Sequence, residues 1–303
     1  MNDPAQPSLH SRALGAYLGL AVGDALGATV EFLTPNEIRQ QYGELRDIVG
    51  GGWLRLKAGQ VTDDTQMSLA LGAAILESGG WDLRNIAGHW LGWLRSKPID
   101  VGNTCRRGLV RYGRDGSLAG AFSDGDAGNG ALMRNLPVVL YAFRDAELLV
   151  RCSIEQAHVT HHHPLSDAAT LCIARMLADL LHGGHWRDSL QSARRTALAL
   201  VDAHRQFRFD PYPKRATGYV VDTVQTVLHA FFSTDSFESC VIRTVNCGGD
   251  ADTTGAIAGM LAGAHYGVAA IPARWLKRLD AVARREIERQ VPALLALGAD
   301  NAG

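Results

Sequence analysis

ALGAYLGLAVGDALGATVEF, residues 13–32, repeats glycine at every fourth position, Gly15, Gly19, Gly23 and Gly27, a spacing that brings all four onto one face of an α-helix. Inside a helix glycine costs roughly 1 kcal/mol against alanine. A stripe of four therefore implies a second helix that approaches too closely to leave room for side chains. The same device returns near the other end of the chain in TTGAIAGMLAGAHYGVAAIP, residues 253–272, with Gly255, Gly259, Gly263 and Gly267. The two striped helices are expected to pack together in the core. Small-residue stripes also join helices in lipid, but Asp24 and Glu31 argue against a membrane span, because a carboxylate near mid-bilayer costs on the order of 3 kcal/mol.

Each stripe adjoins an acidic element. Before the second lies Asn246-Cys247-Gly248-Gly249-Asp250-Ala251-Asp252-Thr253-Thr254, with two carboxylates one residue apart after a Gly-Gly bend. Far upstream stands Thr62-Asp63-Asp64-Thr65, at the polar start of an apolar helical run. Both stretches suit helix N-termini, where Asp and Thr serve as caps. Both also offer clustered hard oxygen donors, which suit Mg²⁺, Mn²⁺ or Ca²⁺. Adjacent helical residues point about 100° apart, so Asp63 and Asp64 would flank a two-metal site rather than chelate one ion. If the striped helices pack, Asp24 and Glu31 come toward the Asp250 cluster. Glu31, Asp63, Asp64, Asp250 and Asp252 would then share one pocket only with cations to balance them. Two divalent ions, with hydroxyl oxygens from Thr62 and Thr253, nearly do so, and such a centre can orient a substrate oxygen and acidify a water.

Between the stripes, residues 35–59 read as loop. Helical spacing predicts helices over about 81–94, 100–112, 136–142, 146–157, 166–181, 186–205, 218–232 and 237–245, with a charged helical region at 273–297. No stretch alternates with period two and no Asn-Gly hairpin joins two apolar runs, so the fold is read as all-α. Asp124 to Arg134 is a glycine-rich loop, either a plain turn or a cradle whose N–H groups meet phosphates or hydroxyls. In Thr160-His161-His162-His163-Pro164 three successive histidines cannot all hold one ion; one or two facing a pocket, or a polar loop with Pro164 at a helix start, are the open readings. Phe209-Asp210-Pro211-Tyr212-Pro213 suits either a pocket rim or a surface loop.

The 303 residues carry 30 basic and 31 acidic side chains, so no global field draws the chain to nucleic acid or acidic lipid. Five cysteines, odd in number and without a CxxC pair, point to a reduced, cytoplasmic setting rather than to disulfides or zinc. Residues 1–12 read as a disordered leader without signal-peptide order, and 13–303 as one domain.

GLAVGDALGATVEF (19–32), VTDDT (61–65), DVGNT (100–104), GNGALMR (128–134), THHHP (160–164), GYVVDT (218–223) and GGDADTTG (248–255) together resemble the ADP-ribosylglycohydrolase family, and within it a bacterial nitrogen-regulation branch. The resemblance spans about residues 13–270. It implies a compact single-domain orthogonal helical bundle with two Mg²⁺ or Mn²⁺ ions that hydrolyses the N-glycosidic bond between ADP-ribose and a protein arginine. It assigns Thr62, Asp63, Asp64, Asp250, Asp252 and Thr253 as metal ligands. Asp63, Asp100 and Glu31 become the catalytic candidates, with Asp63 or Asp100 deprotonating the nucleophile. Asn103, Gly128, Asn129, Gly130 and His161 would line the ADP-ribose pocket, together with Asp124 from the glycine-rich loop and Tyr212 as an aromatic contact; His162 fits least. Expected partners are an ADP-ribosylated protein, dinitrogenase reductase in this branch, and a PII-type nitrogen-signalling protein that tethers a cytoplasmic monomer near the membrane. A non-catalytic ADP-ribose-binding module and a binuclear phosphohydrolase are the alternatives; the latter needs basic residues, and only Arg134 lies near the loop.

Overall fold

The computed structural model describes residues 7–183 and 186–300, and among these there is no β-strand, only isolated bridges at Gly51–Leu56 and Gly128–Tyr219. α1 (Leu9–Gly27) begins ahead of the glycine stripe because the Ser8 hydroxyl accepts from the Ser11 N–H and caps it. Residues 9–12, expected in the leader, are therefore helical, and Arg12 is buried with its guanidinium donating to the Leu181 carbonyl. The leader's residues 1–6 lie outside the described residues. α2 (Pro35–Tyr42) corrects the expected loop: Pro35 opens it, and Thr34 and Glu37 form a reciprocal capping box.

α3 (Asp63–Ser78), α4 (Leu83–Arg95), α5 (Asn103–Asp115), α6 (Leu136–Ala142), α7 (Ala146–His158), α8 (Pro164–His182) and α9 (Trp186–Ala203) follow the expected spacing to within a few residues. So do α10 (Val220–Phe232), α11 (Phe237–Val245) and α12 (Ala251–Tyr266). The charged closing region is two helices, α13 (Ala273–Arg278) and α14 (Ala281–Asp300). They part where the Asp280 N–H donates to the Gly59 carbonyl and its carboxylate caps the N–H groups of Val282 and Ala283. None of the described helices is long and apolar enough to cross a membrane.

The two striped helices form the centre. A Cβ built on Gly259 would lie 2.1 Å from the Gly19 carbonyl oxygen, one on Gly23 2.0 Å from that of Gly255, and one on Gly263 1.9 Å from that of Gly15. As one number climbs by four its partner falls by four, so α1 and α12 run antiparallel, backbone on backbone. The end layer pairs Gly27 with Ala251, whose carbonyl oxygen is 2.1 Å from a Cβ at Gly27. Gly267, counted in the stripe from sequence, instead ends α12 with φ of 77°. Both helices are buried along nearly their whole length, and the other helices cover them.

Candidate metal centre and active-site cavity

The Gly27–Ala251 layer sets the chain leaving α1 beside the chain entering α12. The bend before α12 needs glycine twice: Gly248 and Gly249 have φ of 67° and 64°, and a Cβ on Gly249 would lie 1.9 Å from the Ala216 carbonyl oxygen. Backbone bonds then lock the two segments, Phe32 N–H to the Gly249 carbonyl at 2.6 Å and Gly249 N–H to that of Leu33 at 2.9 Å. Glu31 thereby faces Asp250 and Asp252.

The other half of the site is held by Asp24. Thr62 occupies the N-cap position of α3 but its side chain makes no cap bond there. The Asp24 carboxylate, reaching across from α1, accepts from the Thr62 N–H (3.0 Å), the Thr62 hydroxyl (2.9 Å), the Thr65 N–H (3.2 Å) and the Thr65 hydroxyl (2.5 Å). It caps α3 from a distance and aims the first turn of that helix. Asp63 Oδ2 accepts the Gly102 N–H at 3.0 Å, which ties in the start of α5. Asp64 Oδ2 accepts the Thr253 hydroxyl at 3.2 Å and joins the two acidic halves. Asp250 Oδ2 accepts from the Asn129 amide at 2.5 Å, and that amide also donates to Thr223.

These residues surround a cavity of about 410 Å³ lined by Glu31, Asp63, Asp100, Asn103, Gly128, Asn129, Gly130, His161, Asp250, Asp252 and Thr253. Thr62 and Asp64 are fully buried and do not line it. Oxygens of Glu31, Asp100 and Asp252 all lie within 4.8 Å of one another. Asp64 Oδ1 is buried without a hydrogen-bond partner, an expensive omission unless a cation meets it. The donor set is all carboxylate and hydroxyl oxygen, so the site fits hard divalent cations.

Electrostatics agree. Burial first, and then the charges of Asp100, Asp250 and Asp63, push the Glu31 carboxyl up to about 8 despite the Trp53 hydrogen bond. Burial and Asp100 push Asp63 up to about 7, and burial lifts Asp24 to about 6 against its four donors. Asp64, Asp250 and Asp252 are raised as well, burial again being the largest cause. A carboxyl raised on folding opposes the folded state above its folded pKa, and the opposition fades as pH falls through that value. Metal-free protein should therefore melt at higher temperature at pH 6 than at pH 8, and Mn²⁺ should raise the melting temperature more at pH 8. Fluorimetric melts in chelator that rise toward pH 8 would contradict this charge balance.

His161 lines the same cavity. Arg134, buried over the Trp90 ring at 4.0 Å, donates to the Thr160 hydroxyl at 2.7 Å and to Gln156. The Thr160 hydroxyl is also hydrogen-bonded to His161 Nδ1 at 2.8 Å, which fixes the plane of the ring. Burial, with Arg134 and Arg107, holds the imidazole well below its ordinary pKa, so the ring that lines the cavity is neutral. The glycines of the loop make room for that ring: a Cβ on Gly130 would lie 2.8 Å from His161 Cε1 and one on Gly128 3.2 Å from Nε2. The Asn129 N–H bonds to the Gly218 carbonyl at 3.2 Å and is not free to cradle a phosphate. His162 donates from Nδ1 to the Gly120 carbonyl and stacks on His158, and His163 accepts the Leu165 N–H at the start of α8.

Two expected substrate contacts fall elsewhere. Asp124 is exposed on a short 3₁₀ turn, while its neighbour Asp126 is the buried carboxylate, paired with Arg107. Tyr212 stacks on His229 with ring centroids 4.7 Å apart and bonds to the Thr226 hydroxyl, away from the cavity. Phe32 and Trp53, which line the mouth, were not singled out from sequence; Trp53 sits behind Gly50-Gly51-Gly52, where the glycines dominated the reading.

A sequence model of the ADP-ribosylglycohydrolase family matches residues 5–302. The chain is 57% identical to the ADP-ribosyl-[dinitrogen reductase] glycohydrolase of Rhodospirillum rubrum, over 96% of this chain and 98% of that one. It is 33% identical to the ADP-ribosylarginine hydrolase Tri1 of Pseudomonas putida, over 88% of this chain and 74% of the relative. A solved structure described as an ADP-ribosylglycohydrolase-related protein complex superposes with a TM-score of 0.82 at 36% identity, covering 96% of this chain and 99% of that one. The chain belongs to the ADP-ribosylglycohydrolase family and is a glycohydrolase.

Proposed function

We propose that this enzyme hydrolyses the N-glycosidic bond of ADP-ribosyl-arginine on a protein, releasing ADP-ribose and restoring arginine. The observation that carries the reading is the convergence of Glu31, Asp100 and Asp252, together with a buried Asp64 oxygen left without a partner, at a cavity that His161 and Asn129 also line. Asp63, Asp64, Asp250, Asp252 and the hydroxyls of Thr62 and Thr253 would hold two Mg²⁺ or Mn²⁺ ions; both hydroxyls spend their protons on carboxylates and keep lone pairs for a cation. Such ions, when bound, supply charge neutralisation and lower the pKa of a nearby water. The chain's own groups do the rest. His161 and Asn129 orient the ADP-ribose, and Asp63 or Asp100 takes a proton from the water whose oxygen bonds to the anomeric carbon. The C–N bond breaks, and the proton passes to the departing nitrogen, so that arginine leaves as a guanidinium. Glu31 holds the cationic leaving group close by.

The modified protein is read as dinitrogenase reductase, since the Rhodospirillum relative that bears that name is similar over nearly the full length. A PII-type signalling partner, a cytoplasmic setting with partner-mediated membrane association, a monomeric state and a single-domain chain belong to the same reading. Arg134 is enclosed by Gln156, Thr160 and Trp90, and that removes the base a phosphohydrolase would need at this loop. Incubating the protein with ADP-ribosyl-arginine and ADP-ribosyl-serine peptides, with Mn²⁺ or with chelator, and detecting ADP-ribose by mass spectrometry should give release from the arginine conjugate in Mn²⁺ only. ADP-ribose binding without turnover would replace the enzyme by a binding module.

A further inference from the structure

Two large aromatic rings stand in water at the mouth of the cavity, and hydrolysis as described gives neither a duty. Phe32 is 63% exposed and Trp53 53%, and their ring centroids lie 5.4 Å apart with planes inclined at 46°. Exposed apolar surface rimmed by polar groups marks ligand-binding grooves, and this pair lines a cavity with carboxylates. Both rings are held in place at some cost. Phe32 has a φ of 63°, a left-handed conformation that is rare for a bulky residue, and the backbone bonds to Gly249 and from Gly249 to Leu33 keep it there. Trp53 follows Gly52, where a Cβ would lie 2.4 Å from the Ala28 carbonyl oxygen, so its loop is pressed onto the end of α1. The indole N–H donates to Glu31 Oε2 at 2.6 Å. Trp53 therefore touches the acidic lining directly, and Glu31 in turn lies within 4.8 Å of Asp100 and Asp252, oxygen to oxygen.

Aromatic faces beside carboxylates suit a flat cation. A guanidinium is planar, weakly hydrated and stacks on aromatic rings while its N–H groups meet carboxylates. We propose that Phe32 and Trp53 form the seat for the guanidinium of the modified arginine, and that this seat selects an arginine linkage over a neutral one. The proposal rests on the arginine reading above and deepens it. Adenine is the rival occupant, since any base has a stacking face. It lies at the far end of ADP-ribose from the scissile bond, however, whereas these rings adjoin Glu31 in the acidic lining.

Steady-state kinetics on an ADP-ribosyl-arginine peptide, with inhibition by free ADP-ribose measured alongside, test the seat in Phe32→Leu, Trp53→Leu and Trp53→Phe. The two leucine variants should raise KM about three- to thirtyfold with a smaller change in kcat, and leave the inhibition constant of ADP-ribose within about twofold. Trp53→Phe keeps a ring face and should fall between them and the parent. An inhibition constant that rises in step with KM would give the rings to the nucleotide and overturn the seat. So would unchanged KM in the leucine variants of an enzyme whose parent cleaves the arginine peptide. A parent that releases ADP-ribose only from another linkage overturns the arginine reading itself, and the seat with it.

Discussion

Asp252→Ala is expected to lower release of ADP-ribose by more than about a hundredfold, because even residues that merely orient metal ligands are worth 10- to 100-fold. The protein should nevertheless stay folded. Asp252 is 2% exposed, and among the described residues its carboxylate bonds only within its own segment, to the N–H of the adjoining Thr253 at 2.8 Å and to the Asp250 carboxyl group. Burial, Glu31, Asp250, Asp64 and Asp24 all raise its pKa, which marks a group that opposes folding when charged. Removing it leaves Glu31 and Asp100 with one fewer negative neighbour, so the metal-free variant should melt at or above the parent's temperature at pH 8. The rise produced by Mn²⁺ should shrink or vanish. Calorimetric Mn²⁺ binding, melts with and without chelator, and ADP-ribose release form one set of measurements. Turnover that survives while Mn²⁺ binding is lost would end the metal-centred reading; a collapse in metal-free stability would show that Asp252 is a structural residue instead.

Much of this site could be read from the chain because its parts are local. Asp63 and Asp64 are adjacent, Asp250 and Asp252 are one residue apart, and the four-residue glycine spacing announces helix contact. The stripes leave the direction of packing open; the antiparallel register that brings Glu31 to Asp252 comes from the pairing of Gly15 with Gly263, Gly19 with Gly259 and Gly23 with Gly255 in the fold. What escaped depends on contacts that sequence does not order. Asp24 caps α3 from 38 residues away, and nothing local to either segment says so. Asp124 and Asp126 are indistinguishable on paper; Arg107 singles out the second. Tyr212 looked like a pocket aromatic, but His229 on α10 offers it a closer stacking partner. The turn that splits α13 from α14 is fixed by the Gly59 carbonyl, far upstream. The start of α2 is a different case: Thr34-Pro35 followed by Glu37 was a readable capping box, obscured by the glycines further along the same stretch.

Gly259→Val should leave little or no folded protein, and Gly259→Ala should destabilise it by at least about 3 kcal/mol, at or beyond the upper end for overpacked cores. The reason lies in what a side chain would meet. A Cβ at Gly259 comes to 2.1 Å from the Gly19 carbonyl oxygen and 2.7 Å from its carbon, against ordinary contact distances of about 3.5 Å. Backbone cannot turn aside as a rotamer can, so α1 and α12 must separate by an ångström or more along their shared length. That opens a gap in a core packed at crystal density. Against a total stability of roughly 5–15 kcal/mol, one methyl removes a large share and an isopropyl group removes the rest. Gly88 on α4 supplies the contrast, since nothing lies within 4 Å of a Cβ there; Gly88→Ala should stabilise by about 1 kcal/mol through helix propensity alone. Position along the stripe matters too. Gly27→Ala meets the Ala251 carbonyl oxygen at 2.1 Å and the Asp252 nitrogen at 2.6 Å, so it pries apart the layer that sets Glu31 against Asp252. Gly15→Ala strikes the far end, 2.5 Å from the Gly263 carbonyl oxygen. For equal loss of stability in denaturant titrations, Gly27→Ala should therefore lose more Mn²⁺ affinity and more turnover than Gly15→Ala. Equal functional losses in the two would mean that helix separation spreads evenly and that the stripe holds the fold without setting the spacing of the metal ligands.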